Sequence, residues 1–69
     1  MKRERVASSS IVSIGYDPDT KILEVELHAG IYQYFQVPPN VFDDLRNAAS
    51  KGRYYSKYIR DTYKFRKVK

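Results

Sequence analysis

The sequence predicts an α+β domain: a three-stranded antiparallel β-meander followed by two short α-helices packed on one face, in two layers. Three observations predict it. Apolar and polar residues alternate through Lys21 to His28, turn residues punctuate the first half, and Pro38-Pro39 precedes a segment with helical spacing. At 69 residues there is room for one domain, because a chain this short buries only about 60% of the surface its unfolded form exposes. Residues 1–9 read as a flexible N-terminus and residues 10–68 as the single domain.

Each element has its own signal. Ser10 to Tyr16 reads as a short strand ending at Asp17-Pro18-Asp19-Thr20, whose Asp and second-position Pro suit a type I turn. In the next strand Leu23, Val25 and Leu27 fall on one face, with Glu24 and Glu26 on the other. Ala29-Gly30 supplies a tight reversal, and Ile31 to Val37 a third strand rich in aromatic and β-branched residues. Pro38-Pro39 ends that strand, since proline donates nothing to a ladder. Asn40 then serves as N-cap of a helix with Val41, Phe42, Leu45, Ala48 and Ala49 on its apolar side; Asp43 and Asp44 suit its positive end. Gly52 marks a break, and a second helix runs from about Arg53 to Arg60 or a little beyond, followed by a basic, extended tail.

The turn assignments define a register. A two-residue Ala29-Gly30 loop pairs Leu27 with Tyr32 and Val25 with Tyr34. A four-residue Asp17–Thr20 loop pairs Ile14 with Leu23 and Val12 with Val25. Val12, Ile14, Leu23, Val25, Leu27, Tyr32 and Tyr34 then share one face, which two helices would cover.

Charge is distributed unevenly. Lys51 to Lys69 holds eight basic residues against Asp61 alone, a balance of +7, while residues 1–50 carry −2. That asymmetry points to an anionic partner for the C-terminal part. The chain has no cysteine, which excludes disulfides, thiol catalysis and cysteine-ligated zinc. No apolar run approaches the roughly 20 residues of a membrane span, and no apolar run follows the charged N-terminus as a secretory leader requires. A cytoplasmic protein with no membrane partner is expected.

The ordered set Ser10-Ile11-Val12-Ser13-Ile14-Gly15-Tyr16-Asp17, Tyr32-Gln33-Tyr34, Val37-Pro38-Pro39 and Ser50-Lys51-Gly52-Arg53-Tyr54-Tyr55 resembles the KTSC domain, named for its occurrence at the C-terminus of some lysyl-tRNA synthetases. The resemblance runs from about Ser8 to Val68. It implies a stand-alone bacterial or phage protein of this size and, through the synthetase association, an RNA partner, single-stranded or tRNA-like. With no synthetase module here, it implies no aminoacylation.

Several candidate residues have an ordinary packing role beside the functional one. On the register above Tyr32 and Tyr34 are core residues rather than a base-stacking pair. The opposite sheet face offers Ile22, Phe35 and Val37 as an apolar patch for a protein partner or homodimer. His28, the lone histidine, has only Glu24 and Glu26 near it and reads as a surface residue, so no metal site is expected. The acidic residues serve turns and caps, and no phosphate-cradling glycine loop is present. A non-enzymatic protein without cofactors is expected.

The second helix carries the strongest signal. At 100° per residue Arg53, Lys57, Arg60 and, where the helix continues that far, Lys64 form one stripe, with Tyr54 at its border and Tyr55, Tyr58, Ile59 and Thr62 opposite. Arg66 and Lys67 extend the positive charge into the tail. Such a surface suits a phosphate backbone with unpaired bases nearby. Asp61 is expected to pair with Lys57.

Overall fold

The computed structural model describes residues 2–69 and is an α+β fold with five strands rather than three. The strands are β1 (Glu4–Arg5), β2 (Ile11–Asp17), β3 (Ile22–Leu27), β4 (Gly30–Tyr34) and β5 (Phe65–Lys67). They form one antiparallel sheet in chain order. Two helices, α1 (Pro39–Asn47) and α2 (Lys51–Tyr58), separate β4 from β5. The additions are both edges. Residues 1–9, read as flexible, include β1, which pairs Glu4 with Ile14 and Arg5 with Ser13. The basic tail is extended, as expected, but it is a strand that pairs Tyr34 with Phe65 and Tyr32 with Lys67.

The core gathers Ile11, Ile14, Leu23, Val25 and Tyr34 from the sheet, Val37 from the connection, Leu45 from α1, and Tyr55 and Ile59 from α2 and its end. The predicted core face survives a register that differs by two residues on each side of β3. Ile14 pairs with Val25, Val25 with Tyr32, and Leu23 with Tyr34. A shift of two preserves side-chain parity, whereas a shift of one would have inverted every face. The second hairpin therefore turns on His28-Ala29, and Gly30, at φ 152°, opens β4. The first loop is Pro18–Lys21, with the Asp19 amide donating to Asp17 Oδ1 at 3.0 Å and Lys21 at φ 58°.

Val12 does leave the core face. The β2–β3 register shifts between Ile11 and Ser13, and this bulge puts Ile11 opposite Leu27 and fully inside. An extra residue in one strand reverses the alternation beyond it. A similar reversal moves Val37. Gln36 adopts φ 57°, Val37 N donates to the Lys21 carbonyl at 2.9 Å, and the Val37 side chain is 0% exposed. The proposed Ile22, Phe35 and Val37 patch thus loses Val37 to the core, and Ile22 and Phe35 are half-buried.

Both helix starts lie elsewhere than expected. Pro38 caps α1 without a side-chain bond and Pro39 occupies its first position, so Asn40 is already helical. Proline suits that position because its missing N–H would have no intrahelical partner there. Ser50 caps α2 by accepting from Arg53 N, and Gly52 lies in the first turn rather than in the break. A Cβ on Gly52 would stand 3.0 Å from Ser10 Oγ, so glycine lets α2 approach the loop before β2.

Candidate nucleic-acid interface

The basic side chains of the C-terminal third are arranged by three different local structures, not by one helix. Arg53 and Lys57 are one turn apart on α2 and exposed. Ile59, buried at 0% exposure, ends the helix, and the Arg60 amide reaches back to the Tyr55 carbonyl at 2.9 Å. The chain therefore turns before Arg60 and Lys64 can join the helical stripe, leaving both exposed in the connection to β5. On β5 the side chains alternate. Arg66, opposite Gln33, lies on the uncovered face of the sheet, and Lys67, opposite Tyr32, on the helix side. Lys67 Nζ is 5.9 Å from the Tyr32 ring centre.

Among the described residues ion pairing engages two of the five cations before residue 51 and one of the eight from Lys51 onward, leaving Lys2, Arg5 and Lys21 exposed and unpaired in the first part. Arg3 pairs with Glu24 and Glu26, and Arg46 with Glu4 at 3.1 Å. Among the described residues the C-terminal third contributes only Arg60 Nε to Asp61 Oδ2, at 3.8 Å, so Asp61 serves Arg60 and not Lys57. Lys57 instead places its ammonium 5.3 Å from the Tyr58 ring centre. Arg53, Lys57, Lys64, Arg66, Lys67 and Lys69 are exposed and have no carboxylate within ion-pair distance among the described residues.

The aromatic residues sort differently from expectation. Tyr34, 1% exposed, packs edge-on to Tyr55 at 5.8 Å between ring centres, with their hydroxyls hydrogen-bonded. Burial, then the Tyr55 bond, pushes the Tyr34 phenol well above its ordinary pKa. It is a core residue, and Tyr32 is half-buried beside it. Tyr54, expected at the border of the basic stripe, packs on Tyr58 at 4.7 Å and lies 3.5 Å from Asp44 Oδ2 through its hydroxyl. Burial and the Asp44 charge raise its pKa. Tyr58 and Thr62, placed on the core side by helical periodicity, are exposed.

Two exposed aromatic rings remain near the basic groups: Tyr58, 48% exposed, and Phe65, 55% exposed. Phe65 lies outside the residues that the sequence marks as candidates. Its signal was the alternation of Tyr63 and Phe65 with Lys64 and Arg66, a strand pattern in a stretch read as tail. Phe65 leans on Tyr34 and Tyr32, with ring centres 5.6 and 5.9 Å away, and helps line an open hollow with Arg60, Asp61, Thr62, Tyr63 and Lys64. Elsewhere, His28 is exposed with its Nε2 3.1 Å from the Ser9 carbonyl, and no metal-holding cluster occurs among the described residues.

Comparison with known proteins agrees with the motif set. The family model of the KTSC domain matches residues 7–63. The chain belongs to the KTSC domain family. A crystal structure of a KTSC domain protein from Yersinia pestis superposes with a TM-score of 0.96 at 40% identity, covering 99% of this chain and 97% of that one. An uncharacterized protein of Stutzerimonas stutzeri is 46% identical over 87% of this chain and 86% of its own length. A lysine–tRNA ligase of Nostoc punctiforme is 41% identical over 87% of this chain, which spans only 11% of that enzyme. This KTSC domain is thus similar both to small proteins and to a short part of a much larger one. No helix of its described residues is long and apolar enough to cross a membrane.

Proposed function

We propose that this KTSC domain is a non-catalytic, cytoplasmic RNA-binding module that contacts phosphates through Arg53, Lys57, Lys64, Arg66 and Lys67, with Arg60 at the edge of the same surface. The observation that carries the reading is the concentration of exposed, unpaired cations in the C-terminal third, where six of them (Arg53, Lys57, Lys64, Arg66, Lys67 and Lys69) stand against Lys2, Arg5 and Lys21 in the first fifty residues. A cation already paired inside the protein must break that pair to neutralise a phosphate; these need not. The lysine–tRNA ligase relative, which by name acts on tRNA, makes RNA the favoured polyanion. The surface is charged and exposed, which suits backbone contact with a single-stranded or tRNA-like RNA rather than base-by-base readout. The alternative, a protein-binding patch on Ile22, Phe35 and Val37, is weakened because Val37 is fully buried.

Arg53→Gln, Lys57→Gln and Lys64→Gln together test the reading. All three side chains are exposed, so the melting temperature should stay close to the parent's. In fluorescence anisotropy with short RNAs, affinity should fall alike for unrelated sequences, and the log–log salt slope should drop by about 0.7–1 unit per lost contact. Equal binding by parent and triple variant would refute the assignment of these residues.

A further inference from the structure

Phe65 occupies a position that phosphate binding alone does not explain. Its strand, β5, is the edge of the sheet, and no further strand pairs with it among the described residues. One side of the ring rests on Tyr32 and Tyr34 while more than half of the side chain meets solvent. Tyr58, the other exposed ring, already has Tyr54 packed on it and the Lys57 ammonium near it. The Phe65 ring has aromatic support beneath and no cation over it among the described residues.

The charges around Phe65 are placed to flank a ligand. Arg60, Asp61 and Lys64 line the same open hollow as the ring; Asp61 is 3.8 Å from Arg60 Nε, which leaves Lys64 as the unpaired cation there. Lys67 follows on the same side of β5, about 7 Å along the strand. An apolar planar surface set between cations matches a nucleotide, which has an apolar planar face and an anionic phosphate at each side. A protein partner chosen for such a patch would have to supply acids around an aromatic plug. A single strand supplies both groups in every residue.

We propose that Phe65 is a stacking platform for one unpaired nucleobase of a single-stranded nucleic acid, with the adjoining phosphates held by Lys64 on one side and Lys67 on the other. The proposal rests on the RNA-binding reading and adds to it a subsite that engages a base. Stacking is tolerant of sequence, because every base has an aromatic face, and it is lost on a duplex whose bases are already stacked. The platform itself does not distinguish ribose from deoxyribose, so RNA and DNA single strands should both use it.

The test uses the absence of tryptophan from the chain. Phe65→Trp introduces the only indole, whose emission should be quenched when oligouridine or oligothymidine binds and should be nearly unchanged with an abasic phosphodiester strand of equal length. Phe65→Ala should lower affinity for the oligonucleotides by about 5- to 150-fold, the range expected for removing one base–aromatic stack. It should leave binding of the abasic strand and of duplex RNA unchanged. Phe65→Leu keeps apolar contact with Tyr32 and Tyr34 and provides a folded control should the alanine variant melt early; it should lose stacking too. If oligonucleotides bind with normal salt dependence but the indole is not quenched and Phe65→Leu binds like the parent, the platform is overturned and the phosphate surface stands. If the parent binds no single strand even at low salt, both readings fail.

Discussion

Tyr34 shows how much one side chain contributes to a domain this small. Its ring fills the space between the sheet and α2, and its hydroxyl and that of Tyr55 satisfy one another where water does not reach. Tyr34→Ala should therefore cost about 3–5 kcal/mol, the range for truncating a large buried aromatic, and much of the population should be unfolded in a thermal or urea melt. A variant that melts like the parent would place the ring outside the core. Glu24 is the other residue whose environment makes a definite prediction. Burial alone would raise its pKa, but hydrogen bonds from Gln33 and Arg3 and the Arg3 charge outweigh it and hold the carboxyl below its ordinary 4.5. A folded-state pKa below the unfolded value gives stability that is fully present above 4.5 and is lost as pH falls through the folded value. Acid unfolding should accordingly be shallower in Glu24→Gln than in the parent, with the variant less stable near neutral pH because Arg3 is left without its main partner. Parallel stability–pH curves for the two proteins would contradict this role for Glu24.

The elements differ in how visibly the sequence announces them. β3 was legible because Leu23, Val25 and Leu27 alternate strictly with Glu24 and Glu26, and face membership survived a two-residue register shift. The bulge at Val12 left no mark, since Ile11 and Val12 are both apolar and either could face the core. β1 was illegible for another reason: Arg3-Glu4-Arg5 has no apolar pattern, and the strand is held by backbone pairing and by bonds from Arg3 to Ser13 and Glu24. Its close approach to β2 depends on Gly15, where a Cβ would stand 2.6 Å from the Lys2 carbonyl oxygen. Gly15→Ala should push β1 off the sheet edge at a cost of about 1–3 kcal/mol, as for other small-to-large changes at a tight contact. Amide hydrogen exchange should then quicken at β1 and along the adjoining edge of β2, while β3 and β4 stay protected. Unchanged protection at Glu4 and Arg5 would show that the edge tolerates the methyl group. β5 is hard to read because it is only three residues long, exposed and set in a basic run, so the alternation of Tyr63 and Phe65 with Lys64 and Arg66 reads equally as an unpaired extended tail.

Over the whole molecule, the net charge of +5 conceals a division that the fold keeps. Six of the seven acids in residues 1–50 lie in the turns, strands and helix around β2, β3 and α1, where Arg3 meets Glu24 and Glu26, and the seventh, Glu4 on β1, meets Arg46 from α1. The C-terminal cations were legible as a charge run, and their exposure follows from simple solvation of long basic side chains. Their arrangement was not legible, because it depends on where α2 stops and on which strand the tail joins. Phe65 became visible as a candidate only when that strand was paired. The claim that joins these features is that the unpaired cations neutralise phosphates, and the salt dependence of binding tests it most directly. Anisotropy of a labelled single-stranded RNA with the parent domain, titrated from low to physiological salt, should give a straight log–log plot with a slope of about −2 to −4, as for three to six phosphates neutralised on a single strand. A slope near zero, or no binding at the lowest salt, would contradict it.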